Sequence, residues 1–303
     1  MRILVTGGAG FIGSHVVESY EEEAAVRVLD DFRSGYERNL MGRKCRFVNG
    51  SIENPDILLD VMAGVDVVFH LAALVSVPES VKYPRRCVDI NVSGTLNVLE
   101  AASKSGVRKV VFASSAAVYG DNPEVPKRET MLPEPKSPYA VTKLDGEYYL
   151  DFYRRETGLE TVALRFFNVF GPRQDPKGPY AAAVPIFIER ALQGEPITVF
   201  GDGEQTRDFI YVKDIVSALR FAAENPAASG VFNVGYGERL SINQLAQTII
   251  GLSGSHSGIH YEDERPGDVK DSMASAEKLM ALGWEPRYNL ASGLQATLKS
   301  YRS

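Results

Sequence analysis

The sequence predicts an α/β protein built on a doubly wound parallel sheet. Over the first half of the chain, apolar stretches of strand length alternate with segments whose apolar residues have helical spacing. The strand candidates are apolar almost throughout, which is expected when helices cover both faces of a sheet. A glycine-rich turn connects the first strand to the first helix. Alternation of this kind indicates parallel strands joined by right-handed crossovers.

The predicted elements of the first half follow one another without an internal repeat. Strands are predicted at residues 2–6, 26–30, 45–50, 65–72, 108–115 and 159–166. Helices are predicted at residues 11–20, 54–63, 91–105 and 140–157. Because strand and helix alternate, we expect these strands to belong to one sheet.

The second half of the chain is less regular. Proline and glycine crowd residues 171–185, which predicts a smaller, loop-rich unit of mixed structure. Residues 208–225 have the pattern of a strand followed by a helix. We therefore predict a sheet domain over residues 1–170, to which 207–235 return, and a second domain over 171–303.

Composition restricts the possible partners and compartment. The 303 residues carry a net charge of -6 without a basic run, so nucleic acid is not an expected partner. Cys45 and Cys87 are too few to staple a chain of this size and indicate a reducing compartment. The most apolar stretch, residues 65–77, contains Asp66 and is too short to span a bilayer. With a strand predicted from residue 2, we expect a cytoplasmic protein without a signal peptide or a membrane partner.

The glycine-rich turn predicts a dinucleotide site. Gly7, Gly10 and Gly13 are spaced so that the backbone can approach a pyrophosphate at the N-terminus of the following helix. Asp30 ends the next predicted strand and can accept hydrogen bonds from the ribose hydroxyls of the adenosine. A carboxylate there repels a 2′-phosphate, which favours NAD over NADP. Arg33 is close enough in the chain to leave NADP as an alternative.

Tyr139 and Lys143 are four residues apart in a predicted helix, so they share one helical face. Taken alone, such a pair usually lies on an ordinary solvent-exposed face of a helix. A free phenol has a pKa of about 10, and a nearby positive charge favours its ionised form. We therefore predict that the Lys143 ammonium and the charge of bound NAD⁺ together favour ionised Tyr139, and that Tyr139 acts as a base.

Eight short motifs occur in sequence along essentially the whole chain. They are TGGAGFIGSH (6–15), HLAA (70–73), NVSGTLNVLEAA (91–102), SSAAVYG (114–120), SPYAVTK (137–143), RFFNVFGPRQ (165–174), RDFIYVKD (207–214) and RPGD (265–268). With these motifs the chain resembles the extended short-chain dehydrogenase/reductase family, and within it the nucleotide-sugar epimerases of the UDP-glucose 4-epimerase type. The resemblance implies a Rossmann NAD-binding domain over residues 1–170 and a nucleotide-sugar-binding domain over 171–303.

The resemblance also implies which residues form the site. The implied catalytic residues are Ser115, Tyr139 and Lys143. The implied NAD contacts are Gly7, Gly10, Phe11, Ile12, Gly13, Asp30, Asp31, Ile52, Leu71, Ala72, Ala73, Asn91, Ser114, Tyr139, Lys143 and Phe166. The implied contacts to a UDP-sugar are Ser115, Tyr139, Asn168, Val184, Thr198, Phe200, Arg207, Arg265, Asp268 and Ser272. The histidines show no metal-ligand spacing, so no metal is expected.

Several positions depart from the pattern of relatives or exclude other reactions. Ser51 stands where the family usually has an aspartate that contacts adenine, which weakens that expected contact. Ala117, preceded by Ala116, stands where related dehydratases and decarboxylases have an acid, so those reactions are disfavoured. His70 ends an apolar strand, and we expect it to pack and to line the cofactor rather than to transfer protons.

The resemblance implies interconversion of UDP-glucose and UDP-galactose through a 4-keto sugar, with tightly bound NAD. Ser272 occupies a position where relatives place a bulky tyrosine that narrows the pocket. We therefore expect N-acetylated UDP-sugars to be accepted as well. UDP-glucuronate remains an alternative substrate, with Lys82 as a candidate for binding its carboxylate.

The same residues also bear on the oligomeric state and on two alternative functions. The apolar helices at 91–105 and 140–157 predict a homodimer, since relatives pair such helices between subunits. An NAD(P)-dependent nucleotide-sugar reductase or dehydrogenase is an alternative on the same scaffold. A non-catalytic, dinucleotide-sensing regulator is an alternative of another class. The retention of Ser115, Tyr139 and Lys143 favours an enzyme over a regulator.

Overall fold

The computed structural model describes residues 1–177, 181–264 and 270–302. Its strands are β1 Arg2–Thr6, β2 Ala25–Asp30, β3 Cys45–Asn49, β4 Val67–His70, β5 Lys109–Ser115, β6 Glu160–Phe166, β7 Asn168–Phe170, β8 Ile197–Phe200, β9 Thr206–Arg207, β10 Phe209–Tyr211, β11 Gly230–Val234, β12 Leu240–Ser241 and β13 Ile259–Glu262. Its α-helices are α1 Phe11–Tyr20, α2 Pro55–Met62, α3 Val77–Lys82, α4 Pro84–Val88, α5 Gly94–Lys104, α6 Pro138–Thr157, α7 Ala183–Gln193, α8 Val212–Glu224, α9 Ile242–Ser253, α10 Glu277–Met280 and α11 Leu290–Arg302.

The main sheet of the described chain has seven parallel strands in the order β11-β6-β5-β4-β1-β2-β3. The order reverses between β1 and β4, so helices cover both faces of the sheet. Two separate apolar cores lie on the two faces, and the central strands are buried along most of their length. The predicted fold class, a doubly wound parallel sheet of the Rossmann type, is confirmed.

Helix α6 carries the residues of greatest chemical interest. It begins at Pro138, and the Ser137 hydroxyl caps it by accepting the N–H of Ala140 at 3.2 Å. Proline suits a first helical position because its missing N–H would be unpaired there. The helix ends at Gly158, which has φ of 73°. A left-handed residue after the last turn is a common stop signal, and glycine adopts it without strain.

The second half of the described chain forms smaller sheets around a third apolar core. Parallel pairs join β7 to β10 and β8 to β13, and an antiparallel pair joins β9 to β12. Helices α7, α9 and α11 pack around this core. Strand β11 pairs with β6 at the edge of the main sheet, and α8 lies against β5 and β6. The division into two domains stays a prediction.

The predicted helix over residues 91–105 is interrupted at its start. The chain forms a π-helical turn at Asp89–Ser93 before the regular helix α5 begins at Gly94. A π turn widens the helix by one residue and occurs mostly near functional sites. Apolar spacing alone could not reveal it, because the residues on either side keep a helical period. Among the described helices, none is long and apolar enough to cross a membrane.

Candidate functional site

The turn between β1 and α1 is packed too closely for any side chain at two of its glycines. Gly7 has φ of +72°, and a Cβ there would lie 2.7 Å from the backbone nitrogen of Ala72. A Cβ at Gly13 would lie 2.1 Å from the carbonyl oxygen of Gly7. Gly10 occupies the N-cap position of α1. The glycine spacing noted in the sequence is therefore required by close backbone contacts.

The first residues of α1, which follow the glycine-rich connection, have backbone N–H groups without partners inside the helix. Among the described residues, no side chain caps the helix. The side chains of Phe11 and Ile12 pack against the apolar core of the second half of the chain, which leaves only backbone at the mouth of the turn. Unpaired N–H groups and the partial positive charge of a helix N-terminus favour a phosphate. The turn thus fits the pyrophosphate of NAD.

Asp30 lies beside the same turn at the end of β2 and is 8% exposed. Its carboxylate oxygens accept the backbone N–H groups of Ala9 and Phe32 at 2.9 and 2.8 Å. Burial raises the pKa of Asp30, opposed by these two hydrogen bonds. A carboxylate offers about four acceptor positions, so two remain for ribose hydroxyls. Asp31 is exposed, and its Oδ1 accepts the N–H of Arg33 at 3.1 Å.

Residues after β3 form the side of the cleft where the adenine of NAD is expected. Ile52 is buried, and the Ser51 hydroxyl donates to the Glu53 carboxylate at 3.2 Å. The Glu53 carboxylate in turn receives the Arg86 guanidinium at 2.7 Å. Arg33 faces a carboxylate of α3 at 3.9 Å. Ser51 replaces the aspartate that relatives usually have at this position, and its hydroxyl is bound by the carboxylate of Glu53.

His70 ends β4 in a fully buried position. Its Nδ1 lies 2.8 Å from the hydroxyl of Thr6, and its Nε2 lies 2.9 Å from the hydroxyl of Thr95. Burial lowers the pKa of His70 to about 3, so the imidazole is neutral at physiological pH. The predicted cofactor-lining residues follow directly in the chain: Leu71, Ala72 and Ala73. The contacts of His70 support a packing role rather than proton transfer.

Asn91 lies in the π-helical turn and is 3% exposed. Its side-chain oxygen accepts the N–H of Leu74 at 2.7 Å. Its side-chain nitrogen donates to the Leu74 carbonyl and to the Thr142 hydroxyl, each at 3.0 Å. The amide thereby fastens the turn after β4 to α6. Because these protein contacts occupy the amide, a direct NAD contact by Asn91 stays a prediction.

The three predicted catalytic residues meet where β5 ends against the first turns of α6. Ser115 is the last residue of β5, and its side chain lies close enough to Tyr139 to affect the pKa of the phenol. The Lys143 ammonium donates to the Ala113 carbonyl at 2.7 Å and lies 5.8 Å from the centre of the Tyr139 ring. Lys143 is 3% exposed, so its charge points into the site and not into solvent. The predicted shared face of Tyr139 and Lys143 is present.

Burial dominates the electrostatics of this group. It raises the pKa of Tyr139, while the hydrogen bond from Ser115 lowers that pKa in part. Burial also lowers the pKa of Lys143, to about 8. The direction for Tyr139 differs from the sequence prediction, because burial is the largest influence on its pKa. An added positive charge beside Tyr139 is therefore needed before it can act as a base.

A buried ion pair lies directly behind these residues. The Glu147 carboxylate receives Nε and Nη2 of Arg165 at 2.8 and 2.7 Å, and both side chains are 4% exposed. The Ser114 hydroxyl donates to the same carboxylate at 2.5 Å. Ser114 and Phe166, both predicted NAD contacts, are buried. The sequence prediction missed the pair; the one available signal was the spacing of Lys143 and Glu147, one helical turn apart.

The predicted sugar side of the site is organised by Asp208. This buried carboxylate accepts the backbone N–H groups of Tyr236, Gly237 and Ala274 at 2.8, 3.0 and 2.9 Å. The side chain of Asn168, at the start of β7, donates to the Asp208 carbonyl at 3.2 Å. Burial raises the pKa of Asp208 to about 6, opposed by the three N–H donors. Asp208 thus fastens two loops of the second half to the end of the main sheet.

Arg207 and Ser272 meet at one backbone carbonyl. The Arg207 Nη1 donates to the Thr206 carbonyl at 2.8 Å, and the Ser272 N–H donates to the same carbonyl at 3.2 Å. The structure therefore brings together two residues that the sequence places far apart. Arg265 and Asp268 lie outside the described residues.

The remaining predicted nucleotide contacts lie on the third apolar core. Val184 is 2% exposed and belongs to that core. The Thr198 hydroxyl accepts Nη1 of Arg190 at 2.8 Å. Phe200 ends β8 in a half-buried position. Since the first two are occupied by protein contacts, their contact with a nucleotide stays a prediction.

The site thus combines a glycine turn that fits a dinucleotide with the half-buried Ser115 and Tyr139 and the buried Lys143. Residues 3–235 match the profile of the NAD dependent epimerase/dehydratase family. The chain belongs to this family. The motifs that suggested the resemblance are thus part of a match that spans most of the chain, and NAD is the cofactor.

Members of the family resemble the chain over its whole length. A UDP-glucose 4-epimerase of Mycolicibacterium smegmatis is 41% identical over 313 residues, which cover 100% of this chain and 99% of that protein. A crystal structure of a Thermotoga maritima UDP-glucose 4-epimerase with UDP-glucose has a TM-score of 0.96 and 43% identity, covering 100% and 99% of the two chains. A UDP-N-acetylglucosamine 4-epimerase of Methanobrevibacter ruminantium, in complex with UDP-N-acetylmuramic acid, has a TM-score of 0.96 and 41% identity, covering 99% and 98%.

Proposed function

We propose that this protein is an NAD-dependent nucleotide-sugar 4-epimerase that interconverts UDP-glucose and UDP-galactose. The observation that carries the proposal is the meeting of Ser115 and Tyr139 with the buried Lys143 beside the glycine turn. Full-length similarity to UDP-glucose 4-epimerases supports the same reaction. The enzyme would therefore be an isomerase that consumes no second substrate.

The chain's own residues would handle the proton of the sugar 4-hydroxyl. Ser115 would hold the hydroxyl oxygen, and Tyr139 would take its proton onto the ring oxygen. The positive charge of Lys143 would stabilise the ionised ring. NAD, held by the glycine turn and Asp30, would supply a hydride acceptor and donor for C4 and a further positive charge near Tyr139. The proton returns from Tyr139 to the sugar oxygen at the end.

The small residues after Ser115 argue against other reactions of this family. Ala116 and Ala117 form a short 3-10 turn whose N-terminus is capped by the Ser115 hydroxyl, which accepts the N–H of Ala117 at 3.2 Å. Neither alanine can give or take a proton. A dehydration would need a second acid or base for the leaving hydroxyl. Epimerisation needs a single base, which Tyr139 provides.

The proposed reaction is tested with the purified protein and a panel of nucleotide sugars. We expect UDP-glucose to form from UDP-galactose, resolved by anion-exchange chromatography, without net formation of NADH. Steady NADH accumulation would instead support the reductase or dehydrogenase alternative. A panel that includes UDP-glucuronate and thymidine or guanosine sugars identifies the preferred substrate. Absence of any conversion, with NAD still bound, would support the regulatory alternative.

We propose that N-acetylated UDP-sugars are accepted as well. Ser272 is a small, half-buried residue beside Arg207, where a larger side chain would occupy the sugar side of the cleft. Changing Ser272→Tyr is expected to reduce kcat/KM for UDP-N-acetylglucosamine by about 10-fold or more, while that for UDP-glucose changes by less than about 3-fold. Ser272→Ala is the control, with both substrates retained. Undiminished N-acetyl activity in the tyrosine variant would show that residue 272 does not limit the pocket.

We propose a homodimer that forms through one face of α6. Val141, Tyr148 and Phe152 are 43%, 63% and 56% exposed and repeat at spacings of seven and four residues, which places them on one stripe. Val88 of α4 is exposed as well, at 44%. Exposed apolar side chains in such a stripe are typical of a subunit interface.

The proposed dimer is tested by placing a charge in the stripe. Phe152→Glu is expected to halve the molar mass measured by light scattering, because a carboxylate would have to be buried in the interface. The circular dichroism spectrum should stay unchanged, since the Phe152 side chain is exposed in the monomer. Met41→Glu is the matched control, since Met41 is 73% exposed and lies outside the stripe. If Phe152→Glu kept the molar mass of a dimer, the interface would lie elsewhere on the protein.

We also propose a reducing, cytoplasmic location. Cys45 and Cys87 are both free thiols. Cys87 is fully buried beside Asn91, and its Sγ lies 3.5 Å from the Asn91 amide nitrogen. A thiol in such a site needs no oxidising compartment to maintain the fold.

A further inference from the structure

The loop after β2 places an arginine beside the carboxylate that is expected to hold the adenosine ribose. The Phe32 N–H donates to the Asp30 carboxylate at 2.8 Å, and Arg33 follows directly in the chain. The Arg33 N–H donates to the Asp31 carboxylate at 3.1 Å, which fixes the backbone from which the guanidinium extends. In dinucleotide-binding folds, an arginine near the ribose acid is the residue that accommodates the 2′-phosphate of NADP. The loop by itself would therefore permit NADP.

A carboxylate from the opposite side of the glycine turn engages this arginine. Glu79 lies on α3, which follows β4, and its Oε1 is 3.9 Å from Nη1 of Arg33. Strand β1 lies between β4 and β2 in the sheet, so the ion pair joins the two segments that flank the turn after β1. The Arg33 guanidinium is thereby drawn toward α3.

Helix α3 holds Glu79 on a fixed backbone. The Ser76 hydroxyl caps the helix by accepting the Glu79 N–H at 3.1 Å, and the Glu79 carbonyl accepts the Tyr83 N–H at 2.8 Å. The Ser80 hydroxyl accepts the N–H of Tyr139 at 3.2 Å, which ties α3 to the start of α6. The side chains of the Arg33–Glu79 pair are 35% and 38% exposed, so a phosphate could compete for the guanidinium if the carboxylate were absent.

A second arginine from this side of the cleft is engaged more firmly. Nη2 of Arg86, on α4, donates to the carboxylate of Glu53, in the loop after β3, at 2.7 Å. The two side chains pair through both guanidinium nitrogens and both carboxylate oxygens. Such a two-point pair is stronger than a single long contact. Of these two arginines, Arg33 is therefore the one that a phosphate would recruit more readily.

We propose that Glu79 is a specificity-determining residue for the cofactor: by pairing with Arg33, it keeps that guanidinium from binding a ribose 2′-phosphate and so favours NAD over NADP. The roles of the two acids differ. The Asp30 carboxylate repels the phosphate by its own charge, whereas Glu79 engages the cation that could offset this repulsion. The inference goes beyond the proposed function, because it concerns the choice of dinucleotide and not the reaction of the sugar.

The proposal is tested by the dinucleotide that Glu79→Gln binds. Purified holoenzyme is incubated with an excess of an equimolar mixture of NAD and NADP until the bound ratio is constant. Unbound nucleotide is removed by gel filtration, and bound nucleotide is released by acid and separated by chromatography. We expect the ratio of bound NADP to NAD to rise about 5- to 10-fold over wild type, because the guanidinium can now bind a phosphate. The ratio in protein as purified from cells provides a second reading that needs no exchange.

Further variants identify the group responsible for the gain. In Glu79→Gln/Arg33→Gln the ratio should return to within about 2-fold of wild type, because the recruited cation is gone. Glu100→Gln is the matched control, since it removes the carboxylate of another exposed ion pair, 2.7 Å from Lys104 on α5. It should leave the ratio unchanged. The circular dichroism spectra should all match that of wild type, since none of these side chains is buried.

Each result decides the proposal. A raised ratio in Glu79→Gln that is lost in the double variant supports it. An unchanged ratio in Glu79→Gln overturns it. A gain that persists without Arg33 also overturns it, because Glu79 would then act by repelling the phosphate itself. Protein that converts no nucleotide sugar would contradict the proposed function, while the ratio of bound dinucleotides would still show whether Glu79 sets the choice of cofactor.

Discussion

Changing Tyr139→Phe is expected to reduce kcat by roughly 10²- to 10⁴-fold, because the phenylalanine ring cannot accept the proton of the sugar hydroxyl. The change removes one oxygen from a half-buried ring and leaves the packing of α6 intact. The NAD content and the melting temperature of the variant should therefore stay close to those of the wild type. The measurement is kcat with UDP-galactose at saturating concentration.

A tyrosine on the same helix provides the control for this change. Tyr153 lies near the end of α6 and packs against the apolar core on that side of the sheet. Tyr153→Phe should retain kcat within about 2-fold, because it removes a hydroxyl outside the site. Near wild-type turnover in Tyr139→Phe would exclude Tyr139 as the base.

Changing Gly13→Ala is expected to abolish retention of NAD. The added methyl group would lie 2.1 Å from the Gly7 carbonyl oxygen and 2.8 Å from the Cα of Gly8, so the backbone of the turn must move. Overpacking of this kind costs about 1–3 kcal/mol or more, and here it displaces the N–H groups expected to hold the pyrophosphate. The measurements are the NAD released on acid denaturation and the melting temperature. Both should fall.

A glycine elsewhere in a helix provides the matched control. Gly251 lies in α9, is exposed, and has no atom within 4 Å of the position of an added Cβ. Gly251→Ala should stabilise the protein by about 1 kcal/mol, because alanine favours the helix. NAD content should be unchanged. If Gly13→Ala retained full NAD content, the turn would not bind the pyrophosphate in the way proposed.

The sequence predicted the sheet well for a physical reason. Buried parallel strands must be apolar on both faces, so strands such as β1 and β5 are visible as continuous apolar runs. The glycine turn was equally predictable, because only glycine fits where Gly13 meets Gly7. The capped start of α6, with Ser137 before Pro138, placed Tyr139 and Lys143 one turn apart. Local chemistry determined each of these features.

The parts that escaped prediction depend on contacts between distant segments. The hydrogen bonds of Asp208 join loops near residues 236 and 274, and no local pattern links these positions. The Glu147–Arg165 pair combines a helix and a strand whose charges each look like surface residues in sequence. The raised pKa of Tyr139 follows from burial, which spacing along a helix does not reveal. Tertiary packing decided all three.

Transfer of deuterium tests the central claim most directly, since the proposed base acts on the sugar oxygen while the C4 hydrogen leaves and returns at the same carbon. The substrate is UDP-galactose with deuterium on C4, and the product is examined by proton NMR and mass spectrometry. The account predicts UDP-glucose that retains its deuterium on C4 when the reaction is run in ordinary water. Replacement of that deuterium by hydrogen from water would contradict it, because Tyr139 would then remove a proton from carbon and not from oxygen.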